Sequence, residues 1–316
     1  MNSHARAKAC FVIVYFGTWP QWIDYFLLSC GRNPEIHWLI FTDCGSPGTL
    51  PPNVLVKDFS KSQLEDLVSL KLGIDYKFSY GYKVCDMKPA YGHFFSEHLE
   101  AYSFWGYTDL DVVYGDIGSF LGPRIFTDYD VITASERILV GHFTLFRNDA
   151  RTRLLYQECP DYLEKFGGEH CQAFDEKEFS AHVKAEAQSG RFRLYDRITH
   201  TEDCLIWWSG RSRFLIVWWN GQLMDFFIRR RLCYYHFIQS KYQQGFRSAP
   251  ADECRRFYLD AGGLRPLAGL VGCGRFILAA GVTLVWTLPY YFKMLAKRLL
   301  PGGFRMLLRH QISRKR

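Results

Sequence analysis

The chain has 316 residues, 48% of them hydrophobic and 17% aromatic, enough for a packed core and too apolar for a disordered chain. Its net charge of +7 is unevenly spread: residues 261–316 hold ten Lys or Arg and no acid, leaving 29 basic and 32 acidic residues in the first 260. An acid-free tail suits attraction to a polyanion, whereas ten cysteines scattered without a C-x-x-C pair read as buried thiols of a reducing compartment, not as a disulfide framework or zinc site.

Residues 9–16 (ACFVIVYF) form a short apolar run closed by Gly17 and Pro20, with no small-x-small cleavage signal, and read as a buried first strand instead of a signal peptide. A helix over 21–30 follows, then a strand over 37–42 (HWLIFT) closing on Asp43. After Pro51-Pro52 come a strand over 54–56 and a helix over 62–73, with Leu64, Leu67, Leu70 and Leu72 as its apolar positions. Strands alternating with helices predict a parallel sheet covered on both faces. Ligands of such sheets bind beyond the carboxyl ends of the strands, which here means Gly17, Thr18 and Asp43, or these are simple turns.

Residues 83–120 contain VCDMKPAYGHF and then FWGYTDLDVVYGDI. The pattern predicts a helix over 88–99 with Pro89 in its first turn, and a buried strand over 104–108 running into Asp109-Leu110-Asp111. Carboxylates at i and i+2 on extended backbone project to one side, about 6.6 Å apart at ~3.3 Å per residue. They can converge on one hard divalent cation whose other positions take diphosphate oxygens and water. Further strands are expected at 129–133, 142–146 and 213–219. Near residue 236 the segment CYYHFIQSK sets an imidazole, His236, five residues before an ammonium, Lys241. Such a pair can complete a cation's shell and balance phosphate charge, or be a core histidine beside aromatics.

The ordered set of a strand-end D-x-D, an acidic pair in HTED (200–203) and H-F-x-x-x-K resembles the GT-A glycosyltransferases. Within them it is similar to the retaining branch with a C-terminal H-F-x-G-x-x-K signature, and the block through GHFTLFRN resembles bacterial D-x-D glycosyltransferases. The resemblance covers roughly residues 9–245. Gln239 replaces the signature glycine and Lys241 comes one residue early. It implies an α/β GT-A fold, a Rossmann-like mixed sheet flanked by helices, over residues 1–260. It also implies Mn2+ or Mg2+ held by Asp109, Asp111 and His236, and a nucleotide-sugar donor met by Gly17, Thr18, Asp43, Asp86, Lys88 and Lys241. Glu202 or Asp203 would stand beside the reacting sugar carbon. Asp86 and Lys88 have a second reading as a helix cap and a solvated base, and the Glu202–Asp203 pair as acids at a helix start.

Residues 261–316 are expected to form an apolar, basic tail lying on an anionic membrane. The run 276–292 is uncharged but interrupted by Gly281 and Pro289. Beyond it Leu295, Ala296 and Leu299 oppose Lys293 and Lys297, and Phe304, Leu307 and Leu308 oppose Arg305 and Arg309. The sequence reading is therefore a cytoplasmic enzyme, peripheral on the inner face of the plasma membrane, acting on a saccharide or lipid-linked acceptor. No nucleic-acid partner is expected. The rivals are a catalytically silent membrane-associated carbohydrate-binding protein and a sugar nucleotidyltransferase; GTWPQW in place of a Gly-rich phosphate loop speaks against the latter.

Overall fold

Strands β1 (Ala9–Tyr15), β2 (Ile36–Thr42), β3 (Val54–Asp58) and β4 (Phe104–Thr108) run parallel in the order β3-β2-β1-β4. The computed structural model describes residues 8–78, 81–203, 214–251, 255–267 and 272–284. Strands β1, β2 and β4 are mostly apolar because both faces of the sheet are covered there, whereas the edge strand β3 ends in Lys57-Asp58 and is largely exposed. Cys10, Val12 and Val14 point into one core, while Ala9, Phe11 and Ile13 point into the other. Each buried Val, Ile or Phe among them contributes about 1.5–3 kcal/mol by leaving water. Helix α1 (Ile23–Cys30) connects β1 to β2. Helix α2 (Lys61–Leu72) starts in a capping box, Ser60 with Gln63, and stops at left-handed Gly73. Its buried face is Leu64 and Val68, so Leu70, expected inside, is outside and 79% exposed.

After β4 the chain leaves this sheet through Asp109-Leu110-Asp111 and enters β5 (Val112–Tyr114). It then returns as β6 (Val131–Thr133), β7 (Phe143–Arg147) and β8 (Leu194–Tyr195), completing seven strands with β7 antiparallel to β4 and β6. Strand β9 (His200–Glu202), β5 and a later strand β13 (Tyr234–His236) make a small sheet in the order β5-β13-β9. The remaining strands, β10 (Ile216–Trp219), β11 (Gln222–Asp225), β12 (Arg230–Leu232), β14 (Arg247–Ser248), β15 (Arg256–Asp260) and β16 (Gly263–Pro266), form a six-stranded sheet. This sheet runs past the expected boundary at 260, since β16 pairs with β15 from Phe257 to Asp260. A helix over 272–284 follows and packs Phe276 against Tyr258 and Phe226. Among the described residues no helix is long and apolar enough to cross a membrane, and the expected stripes beyond residue 284 lie outside the described residues.

The helix expected over 88–99 is instead a 3-10 helix, Gly81–Ala90, followed by single turns Tyr91–Phe94 and Ser96–Leu99. A 3-10 helix eclipses residues i and i+3. That puts Tyr82, Cys85 and Lys88 on the face that lines the central cleft, and Lys83 and Asp86 together on the buried face.

Candidate functional site

Strand pairing brings the site residues together. In the small sheet His236 pairs with Val112 on one side and with Glu202 on the other. Val112 directly follows the D-x-D, so His236 arrives beside Asp111 although 125 positions separate them. Trp22 at the start of α1 donates its indole N–H to the Leu110 carbonyl at 3.0 Å, and the Phe237 amide donates to the Asp111 carbonyl at 3.1 Å. The corner is thus fixed from three elements. Asp109, Asp111 and His236 each present one ligand atom, all within 4.8 Å of one another. They line a cleft of 480 Å³ beyond the carboxyl ends of β1 and β4, together with Tyr15, Lys88, Lys241 and Tyr242.

The electrostatics follow from this crowding. His236 Nε2 is 3.2 Å from Asp111 Oδ2, and Lys241 Nζ donates to the same oxygen. Burial opposes ionisation of Asp111, but the His236 and Lys241 charges hold its carboxyl well below the usual range. Burial likewise pulls His236 down, and Asp111 and Glu202 outweigh it, raising the imidazole to about 10. Lys88 Nζ donates to Asp109 Oδ1 at 2.6 Å and to the Gly141 carbonyl at 3.0 Å; Asp109 keeps this buried ammonium charged. A Cβ at Gly141 would meet Asp175 Oδ2 at 2.6 Å and Lys88 Nζ at 3.2 Å, so a larger residue here would push these side chains aside.

Behind His236 lies a second polar cluster that the sequence reading had not assembled. Glu202 Oε1 is 3.5 Å from both His142 Nε2 and His200 Nε2, and Glu202 Oε2 is 3.4 Å from His236 Nδ1. Thr108 at the end of β4 donates to the His142 carbonyl at 2.8 Å and so anchors it. Burial, followed by the charge of His236, lowers His142 to about 4. Burial works against the Glu202 carboxylate, yet its three imidazole neighbours hold it well below the usual range. The alternation of His200 and Glu202 on β9 was the signal available in the sequence; His142 had none beyond its place at the head of β7.

Several expected roles need correction. Asp86 is not open to a donor. It is fully buried, paired with Lys83 at 2.8 Å, and accepts the backbone N–H groups of Gln172 and Phe174. Asp203 is fully buried too, and accepts the amides of Gln239 and Ser240, which shapes the loop presenting Lys241. Glu202 is not among the residues lining the cleft. Among the described residues Glu202 meets His142, His200 and His236, and Asp203 meets the Gln239 and Ser240 amides. Asp43 accepts the Gly17 amide at 2.8 Å and holds that turn, where Gly17 has φ +113°. Gly17 and Thr18 form the rim between Phe16 and Pro20, which do line the cleft.

A model for a family described as a family of unknown function (DUF6625) matches residues 11–267. No curated protein matches the sequence. Solved structures similar to this chain include the galactosyltransferase LgtC in complex with donor and acceptor sugar analogs, 11% identical, covering 72% of this chain and 87% of that one with a TM-score of 0.37. Mouse xyloside xylosyltransferase 1 is 10% identical, covering 74% and 99%, with a TM-score of 0.40.

Proposed function

We propose that this chain, which belongs to the DUF6625 family, is a glycosyltransferase that moves a sugar from a nucleoside-diphosphate donor to an acceptor hydroxyl with Mn2+ or Mg2+. The observation that carries this reading is the meeting of Asp109, Asp111 and His236 with two lysines in one cleft at the strand ends. Open parallel sheets bind their ligands there. Two carboxylate oxygens and one imidazole nitrogen suit a divalent cation that shares its shell with phosphate oxygens. Such an ion supplies Lewis-acid stabilisation of the departing diphosphate. Lys88 and Lys241, tethered to the same two carboxylates, are placed to meet phosphate oxygens as compact positive charges.

The cleft has no carboxylate besides Asp109 and Asp111 among its described lining residues. The resemblance to the branch with the C-terminal H-F-x-G-x-x-K signature makes the reading lean to retention of configuration. The acceptor is a saccharide or lipid-linked hydroxyl of surface polysaccharide or glycolipid synthesis. Residues 264–316 attach the chain to the cytoplasmic, anionic face of a membrane. Ile277, Leu278, Val282 and Leu284 on the 272–284 helix are exposed, and the ten tail cations carry no acidic counterweight.

A thermal-shift screen of nucleotide sugars with and without Mn2+ tests the donor reading: the expected result is one donor that stabilises only with metal. Stabilisation by no nucleotide sugar, or equally without metal, sinks it. Salt-dependent recovery of the full chain, but not of residues 1–267, with anionic vesicles tests the attachment.

A further inference from the structure

Beyond the D-x-D corner, one imidazole faces two different sets of ligands. His236 turns Nε2 to Asp111 at 3.2 Å and Nδ1 to Glu202 at 3.4 Å. His142 stacks obliquely on it with ring centroids 4.1 Å apart, and reaches the same Glu202 carboxylate. His142, Glu202 and His236 each offer one ligand atom, again within 4.8 Å of one another.

The distances distinguish this cluster from an ordinary hydrogen-bonded one. Charge-assisted N–H···O bonds run about 2.7–2.9 Å. The contacts to Glu202 are 3.4 and 3.5 Å, too long for that. Ligands about 2.0–2.2 Å from a tetrahedral ion stand about 3.3–3.6 Å apart, which matches. Moreover, among the described residues the buried His236 Nδ1, the nitrogen that faces Glu202, makes no hydrogen bond. Buried polar atoms left this way call for an unseen ion or water. Two imidazoles and one carboxylate suit a nitrogen-preferring divalent ion such as Zn2+, in contrast to the oxygen-rich D-x-D set.

We propose that His142, Glu202 and the Nδ1 side of His236 form a second cation site of the Zn2+ class, and that it competes with the D-x-D site for the His236 lone pair. The competing half rests on the glycosyltransferase reading; the second site does not. A neutral imidazole has one lone pair and one N–H. With Nε2 ligating at the D-x-D, Nδ1–H points to Glu202. With Nδ1 ligating beside His142, Nε2–H points to Asp111. A cation in the second site therefore removes a ligand from the first, and zinc inhibits the manganese-dependent reaction.

The test uses the full chain, with Zn2+ followed by competition against a chromophoric chelator and Mn2+ by electron paramagnetic resonance. The wild type is expected to bind one Zn2+ whose X-ray absorption edge shows two imidazole nitrogens. His142→Ala is expected to weaken Zn2+ by at least about tenfold and to leave Mn2+ within about twofold. Asp109→Asn is expected to do the reverse. Zn2+ should raise the apparent Kd for Mn2+. Zinc binding untouched by His142→Ala but lost in Asp109→Asn, or a zinc shell of oxygens alone, overturns the second site. Independent binding of the two ions overturns the competition. The absorption measurement needs no variant, so it decides the case even where His142→Ala does not fold. Absence of nucleotide-sugar binding would sink the enzyme reading and leave the zinc result standing.

Discussion

Two corners of the molecule each bury an aspartate against a lysine, and they are built to opposite ends. At Lys83–Asp86 the carboxylate is saturated: its oxygens take one ammonium and the amides of Gln172 and Phe174, and neither side chain has any exposure. At Asp111 the partners are side chains, His236 and Lys241, which line a cleft and can turn to another ligand. Backbone donors cannot be traded without unmaking the fold, whereas side-chain donors can. An acid held by amides is an anchor. An acid held by an imidazole and a lysine at a strand end is a ligand in waiting.

The largest effect should come from breaking the anchor. Asp86→Ala leaves the unexposed Lys83 ammonium with only the Lys165 and His170 carbonyls and no counter-charge, and removal of one partner of a buried pair costs about 3–5 kcal/mol. Chemical denaturation should report that loss, and the double variant Lys83→Met/Asp86→Leu should recover only the part owed to the unpaired charge, because the Gln172 and Phe174 amides still lack their acceptor. A single variant within about 1 kcal/mol of wild type would show that Asp86 is no anchor. Asp111→Asn should act mainly on the chemistry: transfer activity falls by about 10²–10³, the loss typical of one removed electrostatic stabiliser, with a smaller loss of stability than at the sealed corner because Lys241 lines the cleft and can turn to water. Wild-type metal-dependent turnover in this variant would erase the contrast between the corners.

The contrast also marks what could be read from the sequence. Strands β1, β2 and β4 were legible because a buried parallel strand writes itself as a continuous apolar run, and Asp109-Leu110-Asp111 was legible because two acids directly follow one. Lys83 and Asp86 were not, since a 3-10 segment shows a three-residue period that a helix pattern hides, so Asp86 was grouped with Lys88 when they face opposite ways. The HTED acids were seen, but not their contacts. Their role depends on β9 pairing with β13, a register that no local pattern encodes. His142 entered only through the meeting of β4 and β7.

A third measurement compares the two lysines. Lys241→Met should weaken nucleoside-diphosphate binding in Mn2+ about tenfold, as expected for one hydrogen bond to a charged group, while leaving stability nearly unchanged. Lys83→Met should change stability and leave the diphosphate affinity of the folded fraction alone. Calorimetric titration of UDP and GDP on both variants checks the pair, and equal affinity losses would mean that the two lysines share one role.

The smallest effect separates the corners by pH, measured in metal-free protein with chelator present. His142 is lowered to about 4 from an ordinary 6.5, so between these values the unfolded chain binds the proton that the folded chain refuses. Stability from this residue is therefore complete above pH 6.5 and declines as pH falls toward 4, by about 1 kcal/mol at pH 5.5. His236 slopes the other way: raised to about 10, it stabilises fully below pH 6.5 and loses that contribution as pH climbs. The two trends oppose each other in wild type, so the quantity to follow is the difference between His142→Gln and wild type. That difference should shift in favour of the variant by about 1 kcal/mol between pH 8 and pH 5.5. The same subtraction for Asp86→Asn, at the corner sealed by backbone amides, gives the baseline. A His142→Gln difference that stays flat against that baseline would mean the imidazole accepts a proton in the folded state as readily as in water, and that the cluster behind His236 is wetter than its burial implies.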